Sequence, residues 1–186
     1  TAEKLSAEAE KFAPALADLP RPLVAVLIGG ANRQYSMTET VTRELAANLA
    51  GLCRRHRAGL AVTASRRTGD TNAAILRDAL STCPAYVWDG EGDNPYFGFL
   101  GLADTIVVTA DSVSMVSEAC ATGKPVYVVE LEGGSAKFAR FHEGLRAAGI
   151  TRAFDGNLES WTYAAPDDTA KVAAEIVRRL AGEICR

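Results

Sequence analysis

Residues 103–131, ADTIVVTADSVSMVSEACATGKPVYVVEL, leave this chain few folds to choose from. Residues 105–109 are a β-branched run of strand length, and residues 125–131 are a second. Between them Ser112 or Ser114 can cap a short helix that stops at Gly123, just ahead of Pro125. Two apolar strands joined through a helix make a βαβ unit, and such a unit belongs in a parallel sheet. The polar turn over residues 110–114 then falls at the carboxyl end of a strand and the amino end of a helix, where α/β folds hold anionic ligands.

The same alternation runs through the rest of the chain. Residues 23–28 form a continuous apolar run ending in Gly29 and Gly30, followed by Ala31, Asn32 and Arg33. Ser36 and Glu39 have capping-box spacing and predict a long helix running to His56. The glycine pair therefore lies in a strand-to-helix loop, where backbone without Cβ atoms can approach a ligand. It is not GxGxxG, so the standard dinucleotide fingerprint is missing. Residues 60–64 are the next strand and run into Ser65, Arg66 and Arg67. A helix over residues 71–80, capped by Thr68 or Asp70, follows. The two arginines stand at the same strand-to-helix edge as the glycines, where a guanidinium can grip a diphosphate.

Residues 86–88, ending in Trp88, predict a third strand, and the acidic turn from Asp89 to Asn94 lacks the alternation and distal glutamate of an EF-hand loop. Pro95 opens a helix whose aromatics, Tyr96, Phe97 and Phe99, suit packing better than base stacking. After Leu131 come Glu132, Gly133, Gly134 and Ser135. An amphipathic helix over residues 136–148 then carries Lys137, Arg140 and His142. A short last strand at Ala153 and Phe154, an irregular stretch to Pro166 and a final helix over residues 168–181 complete the pattern. At the other end, Leu5, Ala9, Phe12 and Leu16 give residues 1–18 a helical apolar stripe that needs a surface to cover. Residues 1–22 are thus an edge helix or a linker, and residues 23–186 a doubly wound, three-layer α/β domain of Rossmann type.

Composition narrows the partners. A net charge of -3 gives no reason to expect nucleic acid or an anionic membrane as the main partner. Cys53, Cys83, Cys120 and Cys185 are scattered without a CxxC pair, which predicts a reducing, cytoplasmic compartment. His56 and His142 stand beside no cysteine or paired carboxylate, so no bound metal is expected. No stretch approaches the ~20 apolar residues that span a bilayer. Because the chain starts at Thr1 rather than Met, it is expected to be a piece of something longer.

Residues 114–126, SMVSEACATGKPV, resemble the ExxAxGxPV pattern in the C-terminal nucleotide-binding domain of GT-B glycosyltransferases. The resemblance implies that Glu118 binds the ribose hydroxyls of a donor nucleotide. Asp104 matches the aspartate that opens the preceding strand in those domains. Trp88 and Asp89 fall where the base is contacted through the backbone, and the Gly29-Gly30 loop resembles that of the UDP-N-acetylglucosamine transferase of peptidoglycan synthesis. IGGAN, TASRRT, DNPY, TADSVSMVSEA and TGKPVYV together resemble more closely a GT-B-like family named after a plant mitochondrial-fission factor. Its bacterial members are often labelled nucleoside-diphosphate-sugar epimerases or glycosyltransferases. Chains of that family are roughly twice this length, as a two-domain arrangement requires, so this chain resembles the C-terminal half.

The resemblance implies a domain that binds a nucleoside diphosphate sugar as substrate donor, with no separate cofactor. The residues expected to do so are Gly29, Gly30, Asn32, Ser65, Arg66, Arg67, Trp88, Asp89, Asp111, Ser112, Ser114, Glu118 and Lys137. Ser112 and Ser114 would hold the diphosphate with free N–H groups at the helix start. Glu118 could accept two hydrogen bonds from a diol. Eight positions before Glu118, where many retaining relatives carry a glutamate, stands Ala110, and Asp111 beside it cannot be assumed to substitute. The acid-base group of inverting relatives comes from the other domain, so this half is expected to bind but not turn over. An epimerase and a non-catalytic adaptor are the alternatives, and peripheral membrane association through the absent half remains compatible.

Overall fold

The computed structural model describes residues 1–166. Its strands in chain order are β1 (Leu23–Ile28), β2 (Tyr35–Ser36), β3 (Gly59–Ala64), β4 (Ala85–Val87), β5 (Thr105–Thr109), β6 (Val126–Val129), β7 (Glu132–Gly133) and β8 (Thr151–Ala153). The helices are α1 (Ala2–Leu16), α2 (Glu39–His56), α3 (Asp70–Leu80), α4 (Tyr96–Leu102), α5 (Val113–Cys120) and α6 (Ala136–Ala147). Six strands make one sheet in the order β4-β3-β1-β5-β6-β8, and every pair in it is parallel. The chain starts at the centre with β1, builds outward through β3 and β4, then crosses back to β5 and builds the other way. This is the 3-2-1-4-5-6 order of the doubly wound fold. Right-handed crossovers put α2 and α3 on one face and α4, α5 and α6 on the other.

Burial follows from that layering. Every residue of β1, β5 and β6 is buried, as continuous apolar strands covered on both faces must be, while β4 at the sheet edge is half-buried. Burying side chains such as Leu27 and Ile28 stabilises the fold by roughly 1.5–3 kcal/mol each. Helix α1 lies against α4, where Leu5, Ala9 and Phe12 meet Gly98 and Gly101. The chain then enters β1 through a tie at Asp104, whose Oδ2 accepts from Leu23 N at 2.7 Å and from Arg21 Nη1 at 2.9 Å.

Several element ends differ from the sequence expectation. Ser36 does not cap α2. It is drawn into an antiparallel ribbon in which β2 pairs with β7, and Thr38 caps the helix instead, its Oγ1 accepting from Val41 N at 3.3 Å. Glu39 becomes the first helical residue and pairs with Arg43 at 3.1 Å. Residues 132–133, to which the sequence assigns no element, supply the other half of that ribbon. Neither Thr68 nor Asp70 caps α3. Gly69 holds the N-cap position without a side-chain bond, and Thr68 ends a single 3-10 turn over Arg66–Thr68.

Strand β4 ends at Val87, leaving Trp88 in the loop beyond, although Trp88 N still donates to Val62 O at 2.9 Å. Of the two candidate caps for α5, Ser112 is used: its Oγ accepts from Met115 N at 3.4 Å. The irregular stretch after β8 is fixed by Trp161, which packs edge-on against Tyr127, and by Tyr163, whose hydroxyl donates toward the carbonyls of Cys120 and Lys124. The helix expected over residues 168–181, and Cys185, lie outside the described residues.

Candidate functional site

The strand order reverses between β1 and β5, so the loops leaving those two strands flank the crevice where doubly wound sheets bind ligands. Here protein atoms occupy it. The Asp111 side chain is fully buried and fills the space that a Cβ on Gly29 would take. Asp111 Oδ1 accepts from Thr109 Oγ1 at 2.6 Å, and the same threonine oxygen accepts from Gly29 N at 2.8 Å. Gly29 O accepts from Ser65 Oγ and, at 2.9 Å, from Thr68 Oγ1. Gly30, at φ +131°, presents its Cβ position to the Arg67 carbonyl. The missing Cβ atoms of the glycine pair thus admit the protein's own groups rather than open a path to a ligand.

Asn32 closes the same cluster. Its Nδ2 donates to Asp111 O at 3.0 Å, while its Oδ1 accepts from Gln34 N at 2.8 Å and Tyr35 N at 3.0 Å. The ribbon of β2 and β7 continues from there and joins the loops that follow β1 and β6. Thr38 Oγ1 adds a 2.7 Å bond to Glu132 Oε1.

The 3-10 turn sends the two arginines to different tasks. Arg67 Nη2 stands 2.9 Å from Asp111 Oδ2, but off the hydrogen-bond direction, so that oxygen has an ion-pair partner and no hydrogen bond. Arg66 instead lines an open cleft of about 570 Å³. The floor of that cleft is the carboxyl ends of β1, β3 and β4, represented by Ile28, Thr63, Ala64, Ser65 and Trp88. One wall is α3, through Asp70, Ala73 and Arg77, and the opposite wall carries Tyr96 and Met115. Among the described residues neither Arg66 nor Arg77 forms an ion pair. The cleft therefore offers two uncommitted guanidinium groups beside the carboxylates of Asp70 and Asp89.

Four of the residues expected from sequence, Ser65, Arg66, Trp88 and Asp89, meet in this cleft. Trp88 is oriented by a 2.8 Å bond from its Nε1 to Glu91 O, and Asp89 Oδ1 accepts from Glu91 N at 2.9 Å. Glu118 joins them at the rim. It lies one turn beyond Met115 on the same face of α5, and its Oε2 accepts from the Tyr96 hydroxyl at 2.5 Å. Burial first, and that bond second, push the Tyr96 phenol well above its ordinary range, so the proton stays on the tyrosine. Ser112 and the exposed Ser114 stand at the start of α5. Gly29, Gly30, Asn32, Arg67 and Asp111 form the separate closed cluster. Lys137 is exposed on the first turn of α6 and lines no part of the cleft.

The cleft also takes in residues not expected there from sequence, among them Arg77, Tyr96 and Met115. Asp70, Ala73 and Arg77 recur at helical spacing along α3, a stripe that would have pointed to one polar wall. Tyr96 opens an aromatic-rich helix that does bury Phe99, so nothing local marks its hydroxyl for the cleft. A smaller hollow of about 380 Å³ lies along α6, lined by Tyr35, Glu130, Gly134 and His142 among others. His142 is buried there, with Nε2 2.9 Å from Ala110 O. Among the described residues no group of three or more His, Cys, Asp or Glu could hold a metal ion, and no helix is long and apolar enough to cross a membrane.

Comparison with known proteins gives a family. The model described as Mitochondrial fission ELM1 matches residues 1–180. The mitochondrial fission protein ELM1 of Arabidopsis thaliana is 40% identical over 177 residues, which cover 89% of this chain and 39% of that protein. The uncharacterized protein RP120 of Rickettsia prowazekii is 32% identical over 181 residues, covering 93% of this chain and 49% of that one. The chain thus spans about two fifths to one half of the length of these curated relatives. Among solved structures, POFUT1 in complex with GDP-fucose aligns over 69% of this chain and 46% of that chain, at 15% identity and a TM-score of 0.43.

Proposed function

This chain belongs to the mitochondrial fission ELM1 family, and from that premise we propose that it is the donor-binding half of a GT-B-type glycosyltransferase, holding a nucleoside diphosphate sugar at the carboxyl edge of its sheet. The observation that carries this reading is the open cleft, in which Ser65, Arg66, Trp88 and Asp89 converge with the Tyr96–Glu118 pair at the rim. The base and ribose occupy the cleft between Trp88 and Met115. The diphosphate runs toward the amino end of α5, where Ser112 caps the helix through Met115 N and Ser114 lies in the first turn, whose remaining N–H groups lack intrahelical partners. Arg66 and Arg77, the two guanidinium groups that line the cleft, supply positive charge to stabilise a departing diphosphate. The acceptor and the acid-base group come from the other half of the protein.

Calorimetric titration of the full-length protein with UDP, GDP, ADP and CDP tests this reading. Binding of one of them that weakens in both Arg66→Ala and Glu118→Ala supports it, and silence from all four overturns it. A second reading, a non-catalytic adaptor that has kept the fold, is favoured by one specific feature. The crevice between β1 and β5 is closed by Asp111, Asn32 and the Gly29 loop. That reading predicts no nucleotide affinity and no effect of either substitution on whatever the protein recruits.

A further inference from the structure

We infer that Tyr96 is a positioning residue for Glu118, holding the carboxylate so that it selects ribose over deoxyribose sugars; the inference rests on the nucleotide-binding reading above. A carboxylate is acceptor-only, with about four lone-pair directions to satisfy. Glu118 has one partner among the described residues, the Tyr96 hydroxyl at 2.5 Å, and no ion pair. The capacity left over suits a ligand that brings two donors side by side, which is what the 2′ and 3′ hydroxyls of a ribose present. A fully ionised phosphate brings no donor and a 2′-deoxyribose only one; guanine also brings two, and the dideoxy ligands below tell it apart from the sugar.

Tyr96 is held from several sides. Its backbone N–H is held at 3.0 Å by Asn94 Oδ1, immediately after the turn at Pro95. Its ring stands edge-on to Phe97, with centroids 5.0 Å apart. The hydroxyl reaches 22 residues along the chain, from the first turn of α4 to the second turn of α5. The bond therefore fixes one rotamer of an otherwise exposed glutamate at the rim of the cleft that Tyr96 itself lines. An unheld Glu118 would sample other rotamers and would have to lose that freedom on binding, which is the contribution a positioning residue removes in advance.

The experiment is calorimetry on the full-length protein with UDP, GDP, ADP and CDP and with the 2′,3′-dideoxy counterpart of each, for wild type, Tyr96→Phe, Glu118→Ala and the double variant. Wild type should prefer the ribonucleotide roughly tenfold or more, as expected for hydrogen bonds to a charged group. Tyr96→Phe keeps the ring and removes only the hydroxyl. It should cut that preference roughly fivefold while leaving dideoxynucleotide affinity within about twofold. Added to Glu118→Ala, it should change nothing further, because the two act through one interaction.

Equal weakening for ribo and dideoxy ligands in Tyr96→Phe would make the tyrosine merely structural and overturn the inference. So would an unchanged preference. A wild type that binds none of the eight nucleotides overturns the nucleotide reading and the inference with it, and is distinguished from the other failures because no variant enters into it.

Discussion

The Asp111 carboxylate stands where a side chain on Gly29 would have to be, and it holds that place by accepting from Thr109 Oγ1 and pairing with Arg67. Loops from β1, β3 and β5 are thereby tied together at the point where the sheet reverses its strand order. Gly29→Ala should force Asp111 out and destabilise the protein by about 1–3 kcal/mol, the range for overpacking a closed site. Urea denaturation checks this. Adding Asp111→Ala to Gly29→Ala should recover part of the loss, because the second substitution removes the group that the methyl displaces.

Arg66 and Arg67 should separate cleanly by assay. Removing Arg67 strands a fully buried carboxylate. Arg67→Ala should therefore cost about 1–3 kcal/mol, less than a fully buried pair because the arginine side chain is 42% exposed. Arg66→Ala should leave denaturation within about 0.5 kcal/mol of wild type, as surface substitutions do. It should weaken binding of whichever nucleoside diphosphate the protein takes, read by calorimetry beside the melts.

Thr38→Ala should destabilise by about 1 kcal/mol through loss of the α2 cap, and Ser36→Ala should be nearly neutral. Thermal melts of the two variants compare the observed cap with the one that sequence spacing suggests. Thr38 also donates to Glu132, so the observed loss can exceed that of a cap alone.

That cap illustrates which features of the fold are legible from sequence. The strands at residues 23–28 and 105–109 are continuous apolar runs whose burial on both faces leaves no competing arrangement, and their ends agree to the residue with the structure. Helix and strand ends that depend on distant partners do not read out locally. Ser36 loses its capping role because Glu132, far along the chain, recruits it into a ribbon. The same holds in the site. Arg66 and Arg67 look alike in sequence, and only the 3-10 turn and the buried Asp111 tell them apart. Glu118 was legible through its motif, whereas Tyr96 was not, because their bond joins two helices that no local pattern relates.

Alkaline pH should unfold the protein earlier than its charge alone suggests. Burial pushes the Cys120 thiol up to about 12, from the 9.0 of a free thiol. A folded-state value raised in this way contributes stability that is complete below pH 9 and is lost as pH rises toward 12, because the unfolded chain releases the proton first. Cys53, likewise raised to about 12 by burial first and its neighbour Cys83 second, adds to the same window. Stability measured by urea denaturation should fall across pH 9–12. In Cys120→Ala the fall should be shallower by up to about 1.4 kcal/mol per pH unit, the value for one proton.

The most direct test of the account is a calorimetric titration of the full-length protein with UDP, GDP, ADP and CDP, repeated in Glu118→Ala and Arg66→Ala. The account predicts micromolar-to-millimolar binding of one nucleoside diphosphate, lost or weakened roughly tenfold in both variants. No heat from any of the four, or binding that neither substitution changes, would contradict it and leave the cleft as a remnant in a protein that works through its surface.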